Sequence, residues 1–242
     1  MNHLRYTHRT YRDYSHSSSL ISFETKVRET DLMISAEKNL EDYARKSVIK
    51  YRNQIEQYAR VRNDFLTSFA PLSCDDLAPA IVKEMLRASI SSGVGPMASV
   101  AGAIAHFVAG DLLLESSEII VENGGDIYAL LRKDLRIGLF AGDSPLSNKL
   151  SFTIKAEDLP MGICTSSATV GHSVSLGKAD AVCVISKSAA LADAAATAVG
   201  NAVQNRRDIR KGIDVGSRIQ GVLGIVVIIG AEMGAYGNIE FN

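Results

Sequence analysis

Two oxygen-bearing side chains stand four residues apart in the alanine-rich stretch SAALADAAATAVGNAV, residues 188–203. On a helix, Asp193 and Thr197 would share one face, one turn apart. A carboxylate and a hydroxyl supply hard oxygens, the ligand type that Mg²⁺ prefers, and water and substrate phosphate usually complete its shell. A purely structural interpretation also fits, in which Asp193 favours the helix dipole and Thr197 bonds back to a carbonyl. The spacing alone does not decide between the metal-binding and the structural interpretation.

The stretch VENGGDIYAL, residues 121–130, offers a second candidate. Asn-Gly between two apolar alternating runs predicts a β-hairpin with a type I′ turn at Asn123 and Gly124. The next two residues exceed what such a turn requires. Gly125 would let a ligand approach the backbone, and Asp126 could accept hydrogen bonds from a ribose or a ring. The turn by itself remains an alternative explanation.

The stretch CTSSATVGHS, residues 164–173, joins a predicted strand to a polar loop. It contains three consecutive hydroxyl side chains, Thr165, Ser166 and Ser167. Their hydroxyl and N–H groups could hold phosphate oxygens, although a solvated loop explains them equally. His172 and His106 are the candidates for an acid or base, because imidazole titrates near neutral pH. No sequence neighbour lowers the pKa of the Cys164 thiol, so we expect no nucleophile there.

The composition is that of a globular protein rather than of a nucleic-acid-binding chain. The 242 residues are 46% hydrophobic, with a formal net charge of -1. No basic excess indicates nucleic acid, and no apolar run is long enough to span a bilayer. The three cysteines form no CxxC pair, which favours a reduced compartment. We therefore expect a cytoplasmic protein without membrane or nucleic-acid partners.

Hydrophobic periodicity predicts the elements that must position these residues. A hairpin over LISFETKV and DLMIS precedes a long charged helix. A second helix is predicted in PLSCDDLAPAIVKEMLRASISSGVG, capped at Cys74–Asp75 and ended by Gly93, and Pro96 opens a third. Strands and helices then recur in similar order. The fold class predicted is α+β, a duplicated β-β-α-α-β-β unit with helices layered on antiparallel sheet.

The expected organisation is a polar arm followed by one domain. The arm, residues 1–19, is rich in Tyr, His and Arg. The domain, residues 20–242, would consist of two similar halves, about 20–142 and 143–242. The small-residue helix faces also suit subunit contacts, so a homodimer is an open expectation.

Three of these stretches together resemble the ApbE superfamily, whose founding members are FAD:protein FMN transferases. ENGGDIYAL resembles its N-x-GGD-I segment, GICTSS is similar to its A-T-S-G segment, and ALADAAATAVGNAV resembles its A-D-A-x-x-T-A helix. They occur in the superfamily's order and approximate spacing over residues 95–205. The whole chain is similar to the uncharacterised bacterial and archaeal branch, which has an ApbE-like or T-fold-like fold.

This resemblance implies a ligand set. Asp193, Thr197 and the backbone oxygen of Ala98 would hold Mg²⁺. Gly124, Gly125 and Asp126 would lie beside a flavin nucleotide, FAD or FMN. The hydroxyl residues Thr165, Ser166 and Ser167 would lie near its phosphates.

The sequence also departs from the superfamily pattern. Ala101 stands at the position of a lysine, His106 at an acidic position, Glu122 at an asparagine and Ser167 at a glycine. Losing an ammonium group beside a pyrophosphate removes stabilisation of the developing anion. We therefore expect Mg²⁺ and a flavin or related phosphorylated nucleotide to bind, with action on a phosphoester open and FMN transfer to protein disfavoured. The alternatives are a non-catalytic nucleotide-binding or partner-interaction protein, and a different enzyme using His172 or His106.

Overall fold

The computed structural model describes residues 20–168 and 176–242. The predicted arm, residues 1–19, and the candidate His172 lie outside the described residues. The helices are α1 (Glu41–Val61), α2 (Ala80–Ser92), α3 (Val100–Leu112), α4 (Ala189–Ala202) and α5 (Ile209–Ser217). The strands are β1 (Ile21–Val27), β2 (Thr30–Ala36), β3 (Ile119–Asn123), β4 (Asp126–Leu130), β5 (Leu135–Gly138), β6 (Ser151–Ile154), β7 (Met161–Ser166), β8 (Ala181–Ser186), β9 (Val222–Ile229), β10 (Glu232–Gly237) and β11 (Glu240–Phe241).

Eight strands form one antiparallel sheet in the order β1-β2-β3-β4-β7-β8-β9-β10. The first four strands enclose α1, α2 and α3 in the chain, and the last four enclose α4 and α5. This repeated order is the duplicated α+β arrangement that the sequence predicts. The division at residues 142 and 143 stays a prediction.

The helices pack on one face of the large sheet. Helix α3 contacts β3 and β4, helix α4 contacts β7 and β8, and α5 contacts β9 and β10. Their apolar side chains form a core that includes the fully buried Ile34, Leu86 and Ile225. Burying this surface is the main favourable contribution to folding.

A second sheet, in the order β11-β6-β5, covers the opposite face. Phe152 and Ile137 of this sheet pack with Ile163 and Ile228 of the large one. The fold therefore has a third layer in addition to the helices and the large sheet. Strands β7, β8 and β9 are consequently apolar on both faces, as their sequences show.

Two local predictions are wrong. Helix α2 begins after Pro79 instead of at Cys74–Asp75, because the Asp75 carboxylate accepts the N–H of Leu77 in a turn before the helix. The β3–β4 turn consists of Gly124 and Gly125, with φ of 69° and 106°, and not of Asn123 and Gly124. A type I′ turn needs positive φ at both central residues, and two glycines meet that need without strain.

Within the described ranges, no single helix is long and apolar enough to cross a membrane. Helix α2 and the segment Pro96–Leu112 reach that length and apolarity only as a pair, which is bent by 106°.

Candidate functional site

Helix α4 is anchored at its first residue by a polar contact with another helix. The Ser188 hydroxyl accepts the N–H of Leu191 (3.2 Å), which makes Ser188 the N-cap. The same hydroxyl donates to Glu84 of α2 (2.7 Å). The helix therefore starts at a fixed place, and the positions of Asp193 and Thr197 follow from it.

The alanines of α4 allow other backbones to come very close. A Cβ atom built on Gly102 of α3 would lie 2.3 Å from the carbonyl oxygen of Ala189, and one built on Gly162 of β7 would lie 2.3 Å from the Ala189 Cα. Both distances are too short for any side chain. The small residues of α4 thus serve contacts inside the chain, and they give no support for a subunit contact on this face.

Asp193 contacts the beginning of helix α3. Its Oδ2 accepts the backbone N–H of Gly102 (2.9 Å), and the N–H of Ala101 also hydrogen-bonds to this carboxyl group. These amides belong to the first turn of α3, where helical N–H groups have no partner within the helix. Asp193 therefore caps α3 from the neighbouring helix and does not interact with its own helix terminus.

Thr197 follows one turn further along α4 and is, like Asp193, partly exposed, whereas the alanines between them are buried. Among the described residues, its hydroxyl group has no hydrogen bond, so the predicted bond back to a carbonyl of its own helix is absent. Thr197 is thus able to ligate an incoming group.

Asp126 lies at the start of β4 and is 7% exposed. Its Oδ1 accepts the backbone N–H of Thr165 on the neighbouring strand β7 (3.2 Å). The Cys164 thiol donates to the carbonyl oxygen of Ala189 (3.3 Å) and also contacts the Asp126 carboxyl group. The structure therefore brings Asp126 and Thr165 of the predicted set directly together.

The two carboxyl groups interact electrostatically. Burial and the nearby charge of Asp193 raise the pKa of Asp126 well above its usual value. Burial raises the pKa of Asp193 to about 7, although the N–H groups of Gly102 and Ala101 favour the ionised form. Two neighbouring carboxyl groups of like charge favour a shared proton or a cation between them.

The Cys164 thiol is buried. Burial, followed by the charges of Asp126 and Asp193, raises its pKa well above the ordinary value. A thiolate is the nucleophilic form of cysteine, so this position disfavours nucleophilic chemistry. The expectation that Cys164 is not a nucleophile stays a prediction, which its burial and its raised pKa favour.

The glycine turn is held by an acidic residue. The Glu122 Oε1 accepts the N–H of Gly125 (2.8 Å), and Glu122 is 7% exposed. Next to it, the Asn123 Nδ2 donates to the carbonyl oxygen of Ala101 (3.1 Å). The turn is thereby connected to the same first turn of α3 that Asp193 caps.

The family model described as AbpE bacteria matches residues 12–224. The chain belongs to this family. A UPF0280 protein of Methanocaldococcus jannaschii is 42% identical over 219 residues, 88% of this chain and 89% of that protein. A UPF0280 protein of Methanococcus maripaludis strain C7 has the same identity and coverage. The AbpE bacteria family is thus an ApbE-like branch that includes archaeal members of unknown function.

Solved structures of flavin transferases share the fold. The apo form of the Pseudomonas stutzeri flavinyl transferase ApbE superposes with a TM-score of 0.59, at 15% identity, covering 90% of this chain and 93% of that one. The flavin transferase ApbE of Vibrio cholerae gives a TM-score of 0.58 at 14% identity, covering 90% and 96%. At such identity these comparisons establish the fold alone.

The donor set of this family member fits a hard divalent cation. No group of three or more His, Cys, Asp or Glu side chains converges in the described part of the chain. Mg²⁺ does not need one, since it usually binds one or two protein carboxylates and keeps several waters. After burial, the charge of Asp193 is the next cause of the raised pKa of Asp126, and a cation between the two carboxyl groups would offset this repulsion.

Three further residues of the predicted ligand set are Ala98, Ser166 and Ser167. Ala98 is in the 3₁₀ segment Pro96–Ser99, which packs against α4, so its role as a ligand stays a prediction. Ser166 ends β7 and Ser167 follows it. Their predicted place near the phosphates of a nucleotide stays a prediction.

His106 contacts aromatic rings rather than the two carboxyl groups. It stacks on Tyr128 with ring centroids 4.3 Å apart, and its Nδ1 is buried without a hydrogen-bond partner among the described residues. Burial lowers its pKa, and the charge of Glu84 opposes this effect. The lowered pKa favours the neutral imidazole. A role of His106 as an acid or base stays a prediction.

Sequence reasoning did not identify Gly102, Cys164 or Asn123 as parts of the site. Gly102 donates to Asp193, Cys164 touches Asp126, and Asn123 joins the turn to α3. A glycine inside the predicted third helix was the one available signal for a close approach. The other two contacts connect distant segments and leave no local pattern.

Proposed function

We propose that this protein binds Mg²⁺ together with a flavin or related phosphorylated nucleotide at the site between α3, α4 and the β3–β4 turn. The observation that carries the proposal is the pair of interacting carboxyl groups, Asp126 and Asp193, beside the hydroxyl of Thr197, which has no hydrogen bond among the described residues. The likeness of the fold to flavin transferases supports the choice of ligand class.

In this proposal, Asp193 and Thr197 hold the cation, with the backbone oxygen of Ala98 as the third ligand. Gly124, Gly125 and Asp126 lie beside the nucleotide, and Thr165, Ser166 and Ser167 lie near its phosphates. A bound Mg²⁺ supplies charge neutralisation for phosphate oxygens and polarises the phosphorus–oxygen bond. The Asp193 carboxylate would then bind the cation either in place of the Gly102 N–H or together with it.

Transfer of FMN to a protein is not part of the proposal. The superfamily lysine is replaced by Ala101, whose side chain brings no charge to the site. A protein that binds the nucleotide without reacting with it is therefore the second candidate function. Free cysteines fit a cytoplasmic location, and both that location and a homodimer stay predictions.

Calorimetry with FAD, FMN and ADP, each with and without Mg²⁺, tests binding. We expect at least one ligand to bind in a metal-dependent way, and Asp193→Asn and Thr197→Val to weaken it at least tenfold. Asp180→Asn is the matched control, because Asp180 also accepts a backbone N–H, that of Gly230 (2.7 Å), but belongs to another part of the fold. Metal-independent binding, or none, contradicts the proposal.

Release of FMN from FAD separates the two candidate functions. Mg²⁺-dependent turnover that Asp193→Asn abolishes would establish an enzyme acting on the phosphoester. Metal-dependent binding without turnover would establish the binding protein.

A further inference from the structure

The edge of the large sheet at β10 carries almost no charge. Among the described strands, none pairs with the outer side of β10, the last strand of the sheet order. Backbone groups on such an edge are a template for another strand, and proteins usually block them with charged side chains or proline. The opposite edge, β1, carries Glu24 and Lys26. In β10, Glu232 is paired with Arg206 (3.3 Å), and residues 233–237 are uncharged.

The β9–β10 turn decides which backbone groups of β10 face outward. The turn consists of residues 230 and 231, so Glu232 belongs to the first hydrogen-bonded pair, and every second residue then bonds to β9. The N–H and C=O groups of Met233 and Ala235 therefore point away from β9. An identical strand that runs in the opposite direction and is centred on Ala235 presents the same groups. The edge is thus complementary to itself.

Apolar side chains border this edge on both faces of the sheet. Tyr236 is 41% exposed and lies on the face that α5 covers. A Cβ atom built on Gly234, two residues earlier, would lie 2.4 Å from the Ile209 side chain of that helix. Met233 is 37% exposed and points to the other face. Ile209 and Ile213 are only partly buried. The edge therefore has apolar surface that its own chain leaves uncovered in the described part.

Helix α5 is placed so that two copies of it would meet if two β10 edges paired. It lies over both strands of the hairpin, since its Ile209 covers β10 and its Gly216 packs against Ile225 of β9. A two-fold axis at the edge would place the two α5 helices two strand spacings apart, or about 10 Å. Helices pack at axis distances of about 8–10 Å. This spacing favours a second copy of the chain over an unrelated strand.

We propose that the β10 edge binds a second copy of this chain about a two-fold axis at Ala235, so that two eight-stranded sheets become continuous and two α5 helices pack together. Such a contact uses the same surface on both copies and closes as a dimer, which leaves no β10 edge for further addition. The proposed nucleotide site includes Asp126 of β4, four strands away in the sheet. The dimer contact therefore goes beyond the proposed function and does not depend on it.

Sedimentation equilibrium of the full chain tests this contact. We expect twice the chain mass of 26.0 kDa at micromolar concentration. Ala235→Pro removes the outward N–H and leaves the bonds to β9 in place, since proline is tolerated on an edge strand where its nitrogen faces outward. It should weaken the dimer at least tenfold. Ala235→Val keeps the N–H and is the matched control, which should dimerise like the unmodified protein. Circular dichroism shows whether each variant is folded.

A charge exchange across the axis tests the same contact without proline. Ala235→Lys and Ala235→Glu each place two like charges opposite one another, so each variant alone should dimerise at least threefold more weakly at low salt. An equimolar mixture of the two should recover the dimer, because lysine then faces glutamate. A monomeric unmodified protein, which would leave the edge to the strand of another protein, overturns the inference. A dimer that folded Ala235→Pro leaves intact, or a mixture that stays monomeric, also overturns it.

Discussion

The carboxylate of Asp193 accepts the backbone N–H of Gly102 at 2.9 Å, which joins the second turn of α4 to the first turn of α3. The two helices come from opposite halves of the repeated element order. Their contact is possible because Gly102 has no side chain and because α4 presents Ala189 to it. A structural cap and a proposed metal ligand are thus the same side chain.

Replacing Gly102 tests this close approach. Gly102→Ala would place a methyl group 2.3 Å from the Ala189 carbonyl oxygen, so the helices must separate. We expect a loss of about 1–3 kcal/mol in the free energy of unfolding, measured by urea denaturation. Gly110→Ala on the same helix has nothing within 4 Å and should be neutral or stabilising by up to about 1 kcal/mol. Equal effects of the two substitutions would contradict the packing described.

The raised pKa values predict how stability depends on pH. Between the ordinary pKa of 3.8 and about 7, the folded chain keeps a proton at Asp193 that the unfolded chain has released. This contribution to stability is present at low pH and is lost as the pH rises through about 7. The melting temperature of the metal-free protein should therefore fall from pH 6.5 to pH 8.

The same experiment has an internal control. His106 has a lowered pKa, and its effect on stability, which runs in the opposite direction, is confined to pH values below about 6.5. Asp193→Asn should reduce the fall between pH 6.5 and 8, to which Asp126 also contributes because its pKa is raised as well. Mg²⁺ should raise the melting temperature more at pH 8 than at pH 6.5. A melting temperature of the unmodified protein that rises over this interval would exclude the raised pKa.

Thiol labelling tests the environment of Cys164. Cys74 is exposed, whereas Cys164 and Cys183 are buried, and burial raises the pKa of Cys183 to about 12. We expect one thiol per chain to react rapidly with a disulfide reagent in the native protein and three after denaturation. Mass spectrometry of the labelled peptides identifies them. Rapid labelling of Cys164 would show that the site is open to solvent on that side.

Glu122 should stabilise the glycine turn through its bond to the Gly125 N–H (2.8 Å). Glu122→Ala leaves that partly buried amide without its acceptor, which costs about 1–3 kcal/mol in the free energy of unfolding. Glu122→Gln keeps an acceptor oxygen and should recover most of the loss, as measured by chemical denaturation. If the two variants are equally stable, the bond contributes nothing.

Much of this molecule is encoded in local patterns. Alternation of apolar residues predicts the β1–β2 and β3–β4 hairpins, and helical spacing predicts α1 and α4, since both depend on neighbours within one or two turns. Asp193 and Thr197 could be paired from their spacing, and the order of the elements predicts the α+β class. The extra sheet of β5, β6 and β11 could not be predicted, because β11 joins β6 from the far end of the chain.

The tertiary structure alone decides what the candidate residues contact. Spacing places Asp193 on the face of a helix, but only packing brings it to the amides of α3 and within electrostatic reach of Asp126. Arg52 looks like part of a solvated helix face in the sequence, yet Thr30 and Glu29 of the β1–β2 hairpin fix it beside a cavity. Periodicity shows which residues share a face of a helix or strand. The burial of a side chain, its pKa and its access to a ligand depend on the elements that pack against that face, and these come from distant parts of the sequence.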